Sequence, residues 1–316
     1  MHKKTIKPST PVLSLARNSP ELLIAVDWSG RVDAAGQRRH IWAASWAASR
    51  TPDSMGAKIA LEAGRTRDEV CDWLIAQAGK TPRMVVGFDF CFSYPAWFVR
   101  EHGAKNAPHF WKMIADGHGE RWLLRGCEDV RFWGKPRKKP LEFCGEHGHR
   151  MLRRTDVLSK VAAEIRDPVR AAKVAGIAPK SVFQIGGAGA VGTASLRGVH
   201  TLLRLRQAGF RIWPFDAPGA DAPLAVEIYT RLMTGPVIKS SATARAAYLE
   251  RKVADDPPYR ALSRSVVAKA KASEDAFDAL VSAMEMATHR DQFSGLKRAS
   301  DATTRLEGRT WVPGIA

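Results

Sequence analysis

Apolar residues recur along this chain with two distinct spacings. Unbroken runs stand at LLIAV (22–26) and within RMVVGFDF (83–90), the texture of strands buried on both faces of a sheet. HIWAASWA (40–47) and AKIALEAG (57–64) read as two more strands, and the WSGRVDAAGQRR stretch before them is rich in turn residues. The links among these first three strands are too short for crossover helices, which predicts an antiparallel meander. Thr66 then caps a helix running to about Gly79, with Asp68 and Glu69 in its first turn, where the helix dipole favours acids. From residue 93 to about residue 180 the texture changes to short helical patches broken by Gly and Pro.

Regular patterning returns with SVFQI (181–185), a helix from Thr193 to Ala208, a strand FRIWPF (210–215) ending at Asp216, and LAVEIYTRL (224–232) with Glu227 inside the apolar run. A polar helical stretch precedes a strongly patterned helix from about Ser273 to His289, and LEGRTWVPG (306–314) adds a last extended segment. The pattern predicts an α/β chain with a disordered basic arm at 1–20 and one domain at 21–316, which carries an insertion at about 95–180.

Composition sharpens this picture in one respect. The 316 residues hold 49 Lys and Arg against 32 Asp and Glu, a formal net charge of +17, which favours nucleic acid or an anionic surface as partner. The densest patch is 130–154, where Lys135, Arg137, Lys138 and Lys139 are candidate backbone-binding cations and Phe132, Trp133 and Phe143 are interleaved. Aromatics beside cations suit base stacking and phosphate neutralisation; a solvated loop anchored by those aromatics fits the same pattern. Cys71, Cys91, Cys127 and Cys144 are unevenly spaced, as expected of free thiols in a reducing, cytoplasmic setting. The chain has no run of about 18 apolar residues, so no membrane span is expected.

Two motifs invite cofactor readings. Gly187, Gly189 and Gly192 stand in G-x-G-x-x-G spacing between an apolar run and a helix, with Thr193 following. Exposed N–H groups there could hold a dinucleotide or any other phosphate, including one in a nucleic-acid backbone, or the glycines could serve tight packing. Cys144, His147 and His149, with Cys127, offer zinc ligand types at intervals that match no familiar zinc spacing.

The acids carry the sharper signal. At about 100° per residue, Asp275, Asp278, Ser282, Glu285 and His289 share a stripe about 80° wide on an otherwise apolar helix. Such a stripe is either a solvated edge or one wall of a site, and His289 would be a proton shuttle or a capping cation. Asp27 ends one core strand and Asp89 another, which places both charges at the rim of the sheet, where a cation would offset their burial. Asp27, Asp89, Asp275 and Asp278 are thus candidate ligands for Mg²⁺ or Mn²⁺, the hard ions that bridge carboxylates to phosphate.

The order β-β-β-α-β-α-β-α, with these acids at these places, resembles the ribonuclease-H-like superfamily, and DAFDALVSAMEMATH is similar to the last helix of RuvC-type Holliday-junction resolvases. More closely, IAVDWSG, VVGFDFCFSYP, VEIYTR and EDAFDALVSA are similar to successive motifs of a bacterial family of ribonuclease-H-like nucleases of poorly defined role. The resemblance covers roughly residues 22–94 and 181–290 and implies a mixed sheet flanked by helices. It also implies divalent-metal-dependent hydrolysis of phosphodiesters, with Asp27 bridging metal, Asp89 at the position where resolvases usually carry Glu, and Asp275 and Asp278 on the last helix. Glu227 matches the family's E-[VI]-Y-P motif as a pocket acid, although Thr230 replaces the usual Pro. Resolvase-like proteins often act as dimers, which raises a homodimer for which no interface is legible. Two rivals remain: an ATP-binding phosphotransferase of the actin-like and sugar-kinase type, with residues 186–192 on the phosphates, and a non-catalytic nucleic-acid binder.

Overall fold

The computed structural model describes residues 19–49, 57–134, 137–144, 153, 179–187 and 190–314. At its centre is a mixed sheet of six strands: β1 (Leu22–Asp27), β2 (Trp42–Ala47), β3 (Lys58–Glu62), β4 (Met84–Phe88), β5 (Arg211–Ile212) and β6 (Leu224–Glu227). Their spatial order is β3-β2-β1-β4-β6-β5. The first three strands form the expected antiparallel meander, and β4, β6 and β5 add to β1 in parallel.

Among the described residues the main helices are α1 (Ala34–His40), α2 (Arg67–Lys80), α3 (Ala96–Glu101), α4 (Ala107–Met113), α5 (Gly119–Leu123), α6 (Val191–Gln207), α7 (Thr230–Thr234), α8 (Ala242–Asp255), α9 (Arg264–Ala272) and α10 (Glu274–Thr288). Alternation along β1 sends Leu22, Ile24 and Val26 into one core with Leu74 of α2 and Leu202 of α6. Leu23 and Ala25 enter a second core with Leu249 of α8, Val266 of α9 and Leu280 of α10. Both faces of the sheet are therefore covered, which is why its central strands read as unbroken apolar runs. Helix α10 lies across β1 and β2. At Gly87 in β4 it comes so close that a Cβ would stand 2.8 Å from Met286 Sδ.

Several expectations need correction. WSGRVDAAGQRR is not only a turn: Asp33 accepts a hydrogen bond from the Gly36 N–H and caps α1, two helical turns inside the β1–β2 connection. SVFQI is not a sheet strand. Val182 and Phe183 are fully buried among aromatic side chains, and only Gln184 forms an isolated bridge, to Trp133. The apolar run there reports burial, not sheet membership. Strand β5 is just two residues long, on the edge where Pro214 costs no ladder hydrogen bond. Ser19 and Pro20, assigned to the arm, are buried, and the Ser19 hydroxyl donates to Asp291 at 2.6 Å; residues 1–18 lie outside the described residues. In the tail, Thr310 forms an isolated parallel bridge to Glu227.

Candidate metal centre

The strands β1, β4 and β6 run parallel with Val26 opposite Phe88 and Phe88 opposite Glu227, so their carboxyl ends share one edge of the sheet. Ligands bind beyond that edge in open α/β sheets. Strand alternation then decides which acids meet. Asp27 follows the parity of Leu23 and Ala25, and Asp89 that of Val85, all facing the core that contains α10. Asp278, one turn into α10 and 4 % exposed, completes the group. Single carboxylate oxygens of Asp27, Asp89 and Asp278 lie within 4.8 Å of one another.

Lys239, in the connection between α7 and α8, reaches into this group and pairs with Asp278 Oδ2. The other oxygen, Asp278 Oδ1, is buried without a hydrogen-bond partner among the described residues. The Asp89 carboxylate accepts from the Thr230 hydroxyl at 3.5 Å, and that hydroxyl also lies 3.2 Å from Ser282 Oγ of α10. Thr230 thus links Asp89, just beyond β4, to α10.

Burial, reinforced by Asp278, Asp89 and Asp275, holds the Asp27 carboxyl well above the usual carboxylate range, against the pull of Lys239. Burial likewise pushes Asp89 up to about 6, with Lys239 and the Thr230 hydroxyl opposing and the Glu227 charge adding to the rise. Asp278 is pushed up to about 7 by burial and by Asp89 and Glu274, despite its ion pair with Lys239. Burial works against the Lys239 charge, but Asp278, Asp89 and Asp27 outweigh it and raise its pKa. One buried and two half-buried carboxyl groups face one ammonium, and a divalent cation would offset the cost of their ionised forms in surroundings of low polarity.

The remaining candidates occupy other places. Asp275 stands beside the group but outside the convergence; its Oδ2 lies 2.9 Å from His40 Nδ1 at the end of α1. Glu227 follows the parity of Ala225, toward the opposite face of the sheet from Asp27 and Asp89. There it forms a buried ion pair with Arg153, accepting at 2.8 and 2.6 Å, and accepts further from Phe92 N at 2.7 Å and the Thr310 hydroxyl at 2.6 Å. Paired with Arg153, it is a structural acid that also lines the cavity beside Asp89 and Lys239, and its charge adds to the rise at Asp89. His289 ends α10 eleven residues beyond Asp278, about 16 Å along the helix axis, and takes no part in the group. The acidic stripe is no solvated edge: Asp278, Ser282 and Glu285 are all buried, and Glu285 meets Lys252 at 3.4 Å.

In the glycine motif, close packing accounts for Gly192. A Cβ at Gly192 would stand 2.2 Å from Val182 O, and the Gly192 N–H donates to Gln184 O at 2.9 Å. The Thr193 hydroxyl donates to Ile185 O at 2.8 Å. Gly187 has φ 82°, open to glycine at no cost. Gly189, Lys135, His147 and His149 lie outside the described residues.

In the basic insertion the aromatics fit the anchored-loop alternative. Arg137 donates to the carbonyls of Arg125 and Phe132, while Lys138 and Lys139 are exposed. Phe132 and Phe143 are buried in an aromatic cluster with Phe98, Trp122 and Phe183, so they are core rather than stacking platforms. A second concentration of charge comes from distant segments: Arg100, Lys105, Arg298 and Arg305 line a groove of about 670 Å³ whose one acid, Asp216, is paired with Arg206. Cys127 and Cys144 are free thiols.

No family model, curated protein or solved structure matches this chain. No helix among the described residues is long and apolar enough to cross a membrane.

Proposed function

We propose that the protein is a divalent-metal-dependent nuclease built on a ribonuclease-H-like sheet. The observation that carries this reading is the convergence of Asp27, Asp89 and Asp278 within 4.8 Å, with one buried oxygen of Asp278 left without a partner among the described residues. The strand order, with an antiparallel meander joined in parallel by β4 and β6, supports the fold assignment. Oxygen-only donors suit Mg²⁺ or Mn²⁺, which when held by these three acids would polarise a phosphodiester and lower the pKa of a water nucleophile.

The chain's own groups act around that ion. Thr230 and Ser282 orient Asp89, and Lys239 supplies a fixed positive charge toward which an anionic substrate is drawn. The +17 charge and the groove lined by Arg100, Lys105, Arg298 and Arg305 support a nucleic-acid backbone as the bound polyanion. The ATP-dependent reading draws less support, because the Gly192 N–H and the Thr193 hydroxyl are committed to backbone carbonyls.

Titration of the EDTA-treated protein with Mn²⁺ tests the assignment. Calorimetry is expected to show binding that Asp27→Asn and Asp278→Asn each abolish. Absence of binding by the wild type, or binding unchanged in both variants, would remove the reading.

A further inference from the structure

A cavity of about 340 Å³ opens beside the carboxylates and shares Asp89 and Lys239 with them. Trp28, Phe90, Val191 and Tyr229 form an apolar and aromatic part of its wall, and the paired Arg153 and Glu227 also line it. Trp28 is held by Phe88 and Phe90, with ring centroids 5.4 and 5.2 Å apart, so that part of the wall is fixed by packing. Lys180 and Arg231 add positive charge to the lining.

A phosphate chain does not give up its hydration for an aromatic wall. A nucleobase does: its π-face stacks on aromatic side chains while its edges keep polar partners. The volume lies near the lower end for small-ligand pockets, which begin at about 300 Å³, room for one nucleotide-sized unit and not for a dinucleotide. The shared Asp89 brings such an occupant next to whatever phosphate the carboxylate group engages.

We propose that this cavity is a subsite for one unpaired nucleobase adjoining the scissile phosphate, so that the strand is attacked where a nucleotide is single-stranded, frayed or extrahelical. The assignment rests on the nuclease reading. A paired base cannot enter, because its Watson–Crick edge and both faces are occupied in the duplex.

The test compares binding of AMP and ribose 5-phosphate, with and without Mn²⁺, to the wild type and to Val191→Trp, which fills the cavity, Tyr229→Ala, which removes an aromatic face, and Tyr229→Phe, which keeps it. AMP is expected to bind the wild type at least tenfold more tightly than ribose 5-phosphate. Val191→Trp and Tyr229→Ala should bring that ratio close to one, and Tyr229→Phe should preserve it. An unchanged Mn²⁺-induced rise in Tm in Val191→Trp shows that the fold and the carboxylate group survive. Equal binding of the two probes by the wild type, or a ratio that both cavity variants leave intact, overturns the proposal. A ratio that behaves as expected, in a protein that cleaves no single-stranded DNA or RNA with Mn²⁺, keeps the subsite and removes the nuclease reading. Mn²⁺-dependent cleavage with a ratio of one does the reverse.

Discussion

Arg153 makes the strongest prediction about how the site is supported. Its side chain is 1 % exposed, and the guanidinium donates two hydrogen bonds to Glu227, itself 3 % exposed, one to the Glu307 carbonyl at 3.2 Å and one to Cys91 Sγ at 3.0 Å. Arg153→Met fills most of the volume with apolar atoms but leaves the Glu227 carboxylate buried, holding only Phe92 N and the Thr310 hydroxyl. Each lost charge-assisted bond is worth about 1.5–3 kcal/mol, and breaking one side of a buried pair costs about 3–5 kcal/mol as a whole. A loss of about 4 kcal/mol should therefore appear in urea unfolding at neutral pH. Arg153→Met combined with Glu227→Gln removes the stranded charge while keeping an acceptor for Phe92 N and Thr310, and it should recover more than half of that loss. A single variant that loses less than about 1 kcal/mol, or a double variant no more stable than the single, would refute the account of Glu227 as a structural acid.

Further outcomes follow from the same geometry. Asp89 binds its proton more tightly folded, at about 6, than unfolded, at 3.8; its contribution therefore falls as pH rises through that window and stays low above it, a cost on the order of 3 kcal/mol at pH 8. In EDTA, Asp89→Asn should accordingly be more stable than the wild type at pH 8 and lose that advantage near pH 4 in thermal unfolding. Mn²⁺ at 100 times its Kd should add about 2.7 kcal/mol to the wild type alone, nearly closing the gap. Lys239→Met should destabilise the EDTA-treated protein more at pH 8 than at pH 5, because it removes the cation facing Asp27, Asp89 and Asp278, and equal losses at both pH values would contradict its placement. Gly192→Ala, whose Cβ would meet Val182 O at 2.2 Å, should cost about 1–3 kcal/mol in chemical denaturation, while Mn²⁺ affinity measured by calorimetry stays unchanged.

Much of this arrangement was legible from residue spacing alone. The doubly buried runs at β1 and β4, the Thr66 cap, whose capping box with Glu69 is present, and the period of α10 each follow from local rules that tertiary context reinforces. The sequence permits Asp27 and Asp89 to meet, each one residue past an apolar run, but the parallel register that brings them together is a property of the fold. Glu227 shows where such reading stops. It ends a strand in the same way, but one residue of register turns it to the other face of the sheet, and register depends on pairing rather than on its own neighbours. Lys239 lies in a connection with no periodicity to mark it. The groove of Arg100, Lys105, Arg298 and Arg305 draws on segments about two hundred residues apart, so no window along the chain contains it. Conversely, aromatics interleaved with cations around Phe132 and Phe143 fit a stacking surface or an anchored loop equally well in sequence, and only their burial assigns those rings to the core.

The most direct measurement is cleavage of end-labelled single-stranded, duplex and branched DNA and RNA with Mg²⁺, Mn²⁺ or EDTA, by the wild type and by Asp27→Asn and Asp278→Asn. The account predicts cleavage that needs the metal, disappears in both variants and favours substrates with unpaired nucleotides. Mn²⁺ binding without cleavage of any substrate would instead make the protein a non-catalytic binder, and cleavage that persists in EDTA or in the two variants would place the chemistry elsewhere.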